Sequence, residues 1–343
     1  FGLENVLWFA NNKEDAHEEP TIKRSRSHDY VSKEVINVRE NVGLIEVANF
    51  SKHEFKGPDA RKFLDHIMAG RLPKPGRISL SPMLSYRGKL CGDLTVACLD
   101  ENEFMVFGSG AAQEMHRRWF ESHLDKFNLS YSNRSDEYHG LSIAGPNSRK
   151  VLEKIVRDDV SNEKFKFRDS RRMFVGGVPA IINRISFTGE LGYEIYVAPH
   201  YQLKLYEELM EAGKEFNIKP FGGRALMSMR LEKNWGAWTL DYRPDFTAKE
   251  TGLDAFINWD KEFIGKESAQ KENSSNKLVP LIVETNEIDV TNNEAVLNGD
   301  QSIGYVTSGG FAHFVNKSVA FTFVDQKKIK SENKIQVEIN GDL

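Results

Sequence analysis

Apolar and polar positions change period repeatedly along the chain, and each change marks an element. SKEVINVRENVGL at 32–44 spaces its apolar residues roughly as a helix does and then meets a glycine, which predicts a helix stopping there. IEVANFSKHEFKG at 45–57 partly alternates, as a strand would. GPDARKFLDHIMAG at 57–70 opens on Pro58 and Asp59, gathers Phe63, Leu64, Ile67 and Met68 on one side, and ends at Gly70. This is a short helix. Residues 77–99 read as two strands joined at Tyr86-Arg87-Gly88, followed by a strand at 103–108 and an amphipathic helix at 111–126. The middle repeats the theme: a strand LSIAG at 141–145, a helix near 147–157, paired strands at 172–187 and the strand LGYEIYVAP at 191–199. Helices at 201–215 and from Gly222-Gly223 to about Lys233 follow. The order is α+β, not alternating βαβ units with a phosphate loop. After Gly265, SAQKENSSNK at 268–277 reads as a polar linker. Beyond it come only strand-like segments, LVPLIVET, IGYVTSGG, KSVAFTFV and KIQVEI, which predict a small all-β domain.

Composition narrows the function classes. A chain of 343 residues exceeds one ordinary core and suggests two or three domains. With 46 basic and 50 acidic residues the net charge is −4, so no basic excess points to nucleic acid. KRSRSH at 23–28 is a short basic run of the kind found in solvated segments. No run is long and apolar enough to cross a membrane. Cys91 and Cys98 lie at odd separation in one strand pattern, which places them on opposite faces and rules out a bridge there. A reducing compartment fits this usage. The motif G-x-G-x-x-G after a strand is missing, and GSGAAQ at 108–113 has the wrong spacing, so no flavin site is expected within these residues. The opening FGLENVLWFA lacks both a Met and a signal-peptide pattern. The close, KIQVEINGDL, breaks off in a strand pattern. Both ends suggest a piece of a longer chain.

Three stretches carry candidate chemistry. In LCGDLTVACL, strand period places Asp93 on a face with Cys91, Thr95 and Ala97, small residues that leave room for something to approach. Asp93 reads either as an edge-strand carboxylate facing water or as a group placed for a ligand. Glu194 in LGYEIYVAP is again a charge inside a strand, on the face opposite Tyr193 and Ile195. The turn Thr188-Gly189-Glu190-Leu191-Gly192 before it lets backbone approach a ligand closely. Solvent exposure explains Glu194 equally well. In FGGRALMSMRLEKNWGAW, Arg224 sits in a first helical turn, where a cation opposes the helix dipole and calls for a compensating carboxylate, from Glu194 or from a ligand. Arg230 and Glu232 read as structural ion-pair residues. Trp235 and Trp238 suit a flat heteroaromatic ligand or a domain junction, the junction being preferred for Trp238. One ligand type unites these features. A pterin ring offers N–H and NH₂ donors along one edge, which a carboxylate such as Glu194 accepts side by side, and Asp93 would stand near its reactive nitrogens.

The succession VGLIEVANFSKHEFKGPDARKFLD, GDLTV, SFTGELGYEIYV, GGRALMSMRLEKNWGAW and GYVTSGGFAHFVNKSVAFTFV resembles the glycine-cleavage T-protein (aminomethyltransferase) family over nearly the whole chain. The likeness is greatest to the tetrahydrofolate-binding C-terminal half of dimethylglycine and sarcosine dehydrogenases, whose start FGLENVLWFA resembles. The resemblance implies a three-domain cloverleaf with a C-terminal small β-barrel and folate in a central channel. The expected units are 1–50 plus 130–250, 51–129 carrying Asp93, and 275–343. It implies that Asp93 is catalytic beside the folate nitrogens and that Glu194 grips the pterin. Thr95 and Arg224 match positions near the site, and Trp235 matches an aromatic lining it. Leu80 and Phe187 stand where the family often has Tyr. Phe187 keeps a stacking face and loses a hydroxyl; Leu80 loses the ring as well. The implied cofactor is tetrahydrofolate. FAD is expected only in a separate or upstream amine-oxidising domain, in cis or in trans. The implied reaction moves a one-carbon unit from an N-methylamine such as dimethylglycine or sarcosine to tetrahydrofolate. A sulfonium-dependent demethylase and a non-catalytic folate-binding module are the alternatives. The FTGELGYE turn has no Cys, which sets aside the iron–sulfur-assembly relatives. The compartment expected is the mitochondrial matrix for a eukaryotic protein and the cytoplasm for a bacterial one.

Overall fold

A computed structural model describes residues 4–342, so the first three residues of FGLENVLWFA and the final Leu343 lie outside it. The first half runs α1 (Ser27–Glu40), β1 (Val42–Glu46), β2 (Ser51–Lys56), α2 (Ala60–Ile67), β3 (Arg77–Leu84), β4 (Leu90–Asp100), β5 (Glu103–Gly108), α3 (Gln113–Glu121) and β6 (Ser130–Asn133). It continues with β7 (His139–Ala144), α4 (Ser148–Ile155), β8 (Ser170–Val175), β9 (Val178–Asn183), β10 (Gly192–Val197), α5 (Gln202–Gly213), β11 (Ile218–Pro220) and α6 (Gly223–Glu232). Two short helices, α7 (Ala248–Thr251) and α8 (Lys266–Gln270), precede β12 (Asn276–Val283), β13 (Ala295–Asn298), β14 (Gln301–Ala312), β15 (Lys317–Asp325) and β16 (Ile335–Val337).

The strands form three sheets, ordered β11-β1-β7-β10-β9-β8, β3-β4-β5-β2-β6 and β12-β15-β14-β13-β16. This mixed architecture closes on an antiparallel C-terminal sheet. Strand β6, within the first expected unit, pairs with β2 of the second sheet. The helix expected over 32–44 ends at Glu40, because Gly43 belongs to β1. A Cβ at Gly43 would lie 2.4 Å from Val38 Cγ2, so this glycine lets α1 pack down on the sheet. The expected strand at 45–57 divides between β1 and β2, which join different sheets. The helix expected over 111–126 contracts to α3, and part of the expected linker forms α8.

The first sheet buries both faces. Leu44, Leu141, Ile143, Tyr193, Ile195 and Val197 pack beneath α4 and α5. On the other face, α1 and α6 cover Ala144 and Ile45. Further along that same face Val47, Ile181 and Tyr196 meet Ile78, Ala97, Met105 and Phe107 of the second sheet. The two sheets therefore confront each other beside α6, and the candidate residues lie on those confronting faces.

Candidate functional site

Register fixes the floor of the site. Glu194 pairs with Ser142 on one side and Asn183 on the other, Ser142 also pairs with Ile45, and Asn183 also pairs with Ser170. Partners in register share a face, so Ile45, Ser142, Glu194, Asn183 and Ser170 form one row across the sheet. Alternation puts Tyr196 on this face too, and Tyr193 and Ile195 on the opposite one as expected. A Cβ at Gly140 would come within 2.7 Å of the Tyr196 ring, so the ring has room only because residue 140 is glycine.

Glu194 is 6% exposed, and the Tyr196 hydroxyl donates to its Oε2 at 2.8 Å. Burial pushes its carboxyl up to about 7, against the lowering effect of that hydrogen bond. Tyr196 stacks on Phe107 with ring centroids 4.6 Å apart, and burial beside Glu194 holds its hydroxyl well above the ordinary phenol range. Lys52 is fully buried at the same junction. Its Nζ donates to the Ala48 carbonyl at 2.6 Å and lies 5.9 Å from the Tyr196 ring, and desolvation pulls it down to about 8.

Asp93 occupies the facing sheet. In β4 it pairs with Pro82, Thr95 pairs with Leu80, and Ala97 pairs with Ile78. Ala97 touches the Tyr196 cluster. Asp93 stands four residues away, about 13 Å along a strand. Its side chain is half-buried. Desolvation pushes its carboxyl up to about 7, only partly offset by its own backbone N–H. Leu80 and Trp238 pack with Leu90, Tyr242 and Phe246 in a cluster on this side of the sheet. Burial raises the Tyr242 hydroxyl, and the nearby Asp93 charge raises it further.

One expectation about this strand is corrected. A bulge lies between Met83 and Leu84, so Leu84 pairs with Leu90 while Met83 pairs with Gly92. The extra residue, Cys91, turns to the side occupied by Leu94, Val96 and Cys98 instead of sharing Asp93's face. Its carbonyl, taken out of the ladder, lies 3.0 Å from His116 Nε2. Both cysteines are free.

Phe187 lines a cavity of about 610 Å³ with Ile45, Val47, Phe50, Leu226 and Met227. Because Ile45 belongs to the Glu194 row, the cavity adjoins that row at its β1 end. Arg224 lies elsewhere. Its guanidinium donates to Ser27 Oγ at 2.5 Å, pairs with Glu18 and stacks 4.8 Å from the Trp8 ring. The compensating carboxylate is thus Glu18, not Glu194. Trp235 is half-buried at the end of α6, where its carbonyl accepts from Arg230 Nη1 at 3.1 Å and its ring meets Phe256 edge-on at 6.2 Å. Arg230 and Glu232 are structural as expected, Arg230 bound to Asp241 at 2.5 Å and Glu232 to Arg39.

The structure therefore brings Asp93, Thr95 and Leu80 together on one sheet and sets Glu194 on the facing sheet, while the cavity lined by Phe187 reaches that row only at Ile45, two strands from Glu194. It leaves Arg224 and Trp235 outside both groups. Tyr196, Asn183, Lys52 and Tyr242 escaped sequence reasoning. Alternation in GYEIYV could have found Tyr196; the others needed the register or the tertiary packing. Among the described residues, no group of three or more His, Cys, Asp or Glu side chains is arranged to hold a metal, and no helix is long and apolar enough to cross a membrane.

Residues 1–261 match the family described as the GCVT N-terminal domain, and residues 276–343 match the glycine cleavage T-protein C-terminal barrel domain. Mitochondrial dimethylglycine dehydrogenase of Mus musculus is 34% identical over 99% of this chain and 40% of its own length. The Homo sapiens protein is 33% identical with the same coverage. The chain thus spans about two fifths of these relatives. The aminomethyltransferase of Desulfitobacterium hafniense (strain Y51) is 30% identical over 89% of this chain and 84% of its own. The crystal structure of glycine cleavage system aminomethyltransferase T from Bartonella henselae matches with a TM-score of 0.82 at 23% identity. It covers 91% of this chain and 86% of that one, a likeness of fold. Matched by both domain families in sequence and by the whole fold in structure, this chain belongs to the glycine cleavage T-protein, or aminomethyltransferase, family.

Proposed function

We propose that this chain binds tetrahydrofolate and carries out one-carbon transfer to it, as the folate half of a flavoprotein amine dehydrogenase. The carbon comes from an N-methylamine such as dimethylglycine or sarcosine, and the product is 5,10-methylene-tetrahydrofolate. The observation that carries this reading is Glu194, a buried carboxylate with one protein donor and acceptor capacity left over. A buried carboxylate so poorly matched is costly unless something else supplies donors. The N–H and NH₂ edge of a pterin supplies two.

The residues present fit such a ligand. Glu194 accepts from the ring edge. Phe187 and the cavity beside the Glu194 row offer an apolar, aromatic wall. Tetrahydrofolate supplies the N5 and N10 atoms that take up the one-carbon unit. Asp93, raised to about 7, is poised to hold or accept a proton near neutral pH. The half-buried Thr95 and Leu80 stand beside it on the same face. The oxidation that makes the carbon transferable needs an electron acceptor, which this reading assigns to an FAD-dependent domain in cis or in trans.

The test has two parts. Titration calorimetry with tetrahydrofolate should give saturable binding that Glu194→Ala abolishes. Asp93→Asn should keep the binding and slow transfer to folate by about 10²–10⁴-fold, the usual worth of a general base. Absence of binding to the intact chain would refute the folate reading. Full transfer rates in Asp93→Asn would remove Asp93 from catalysis.

A further inference from the structure

Asn183 is fully buried and lies directly opposite Glu194 across the β9–β10 ladder. Its Oδ1 accepts a hydrogen bond from Ser170 Oγ at 2.7 Å. Its Nδ2 is buried without a partner among the described residues. Buried side-chain amides are rarely left half-satisfied, because an orphaned donor forfeits its hydration with no return. The orientation is physically reasonable: an amide oxygen turned toward the Glu194 carboxylate would meet like charge, whereas the NH₂ group does not. The row therefore presents an empty acceptor next to an empty donor, on side chains whose Cβ atoms stand about 5 Å apart in any directly paired strand position.

We propose that Asn183 is a specificity-determining residue that donates a hydrogen bond to the 4-oxo group of the ring gripped by Glu194. This rests on the pterin reading above. Along one edge, a 4-oxo pterin offers an amino group, then N3–H, then a carbonyl. Glu194 accepts from the first two, and Asn183 Nδ2 donates to the third. Ser170 holds the amide in that orientation. A 4-amino ring puts a donor where the carbonyl was and removes the hydrogen from N3. Two donors then face each other at Asn183, and one acceptor of Glu194 goes unmatched. The row thus selects the 4-oxo over the 4-amino ring.

The experiment measures affinities for tetrahydrofolate and for its 4-amino counterpart, at pH 8, on the intact chain, Asn183→Ala and Asn183→Leu, with thermal unfolding of each. The intact chain should prefer the 4-oxo ligand. Both variants should shrink that preference roughly tenfold, the worth of one buried hydrogen bond isolated by a two-way cycle. Asn183→Leu should melt close to the parent, since it removes an orphaned amide donor but leaves the Ser170 hydroxyl without its acceptor. An unchanged preference in a folded variant that still binds tetrahydrofolate would overturn the assignment. So would unfolding of both variants, which would make Asn183 part of the scaffold. If the intact chain binds neither ligand, the pterin reading itself fails and takes this inference with it.

Discussion

Two buried carboxylates in this protein invite comparison, Asp241 and Glu194. Asp241 is completely enclosed, and its acceptors are filled by Arg230 Nη1 at 2.5 Å, the Ala237 amide at 3.0 Å, Thr307 Oγ1 at 2.5 Å and Ser308 Oγ at 2.7 Å. Those donors come from α6, the loop after it and β14, so one carboxylate ties the C-terminal sheet to α6. Glu194 is nearly as buried but receives one hydrogen bond, from Tyr196, and its neighbour Asn183 carries an unpartnered NH₂. The difference separates scaffold from site. A carboxylate whose donors are all internal holds elements together; one whose donors are missing is shaped for something that brings them.

The largest effect expected from this contrast is on Asp241. Asp241→Ala leaves the Arg230 guanidinium buried without its partner and should cost about 3–5 kcal/mol in denaturant unfolding. A loss under 1 kcal/mol would show that the pair is not structural.

Glu194→Gln should behave in the opposite way and depend on pH. Burial raises Glu194 from its ordinary 4.5 to about 7, so between those values the folded chain keeps a proton that the unfolded chain releases. Stability from this group is full below pH 4.5 and is lost as pH rises through 7. The variant should therefore gain on the parent by up to about 1.4 kcal/mol per pH unit across that window. Tyr196 and Asn183 face the group and are unchanged in the variant, so the difference isolates Glu194. A flat difference from pH 4 to pH 8 would contradict the assigned environment. A smaller effect is expected of Tyr196→Phe. Removing the single donor should move the Glu194 transition to higher pH and cost about 1 kcal/mol in tetrahydrofolate affinity. Unaltered titration and affinity would mean that Tyr196 only packs.

Much of this was legible in the chain. The hairpin at 77–99, the short helix after Pro58 and the all-β C-terminal region follow from local period and turn chemistry. The charges at Asp93 and Glu194 stood out because they interrupt strand patterns. What stayed hidden depends on contacts far apart in sequence. Gly43 mimics a helix stop, yet its role is to admit Val38 against the sheet. A one-residue bulge at Cys91 resets the strand's period, which no alternation rule foresees. The helix-terminal position of Arg224 and the family resemblance both point to the site, but its partners Glu18 and Trp8 come from an irregular segment with no period to read. Asn183 emerges only once the β9–β10 register is known.

The most direct measurement is the titration of the Glu194 side-chain carboxyl by carbon-13 NMR, with and without tetrahydrofolate. A midpoint near 7 is expected in the free chain, falling when the ligand's N–H donors arrive. A midpoint near 4.5 in the free chain, or one that saturating tetrahydrofolate leaves in place, would contradict the claim that this carboxylate is kept for a ligand.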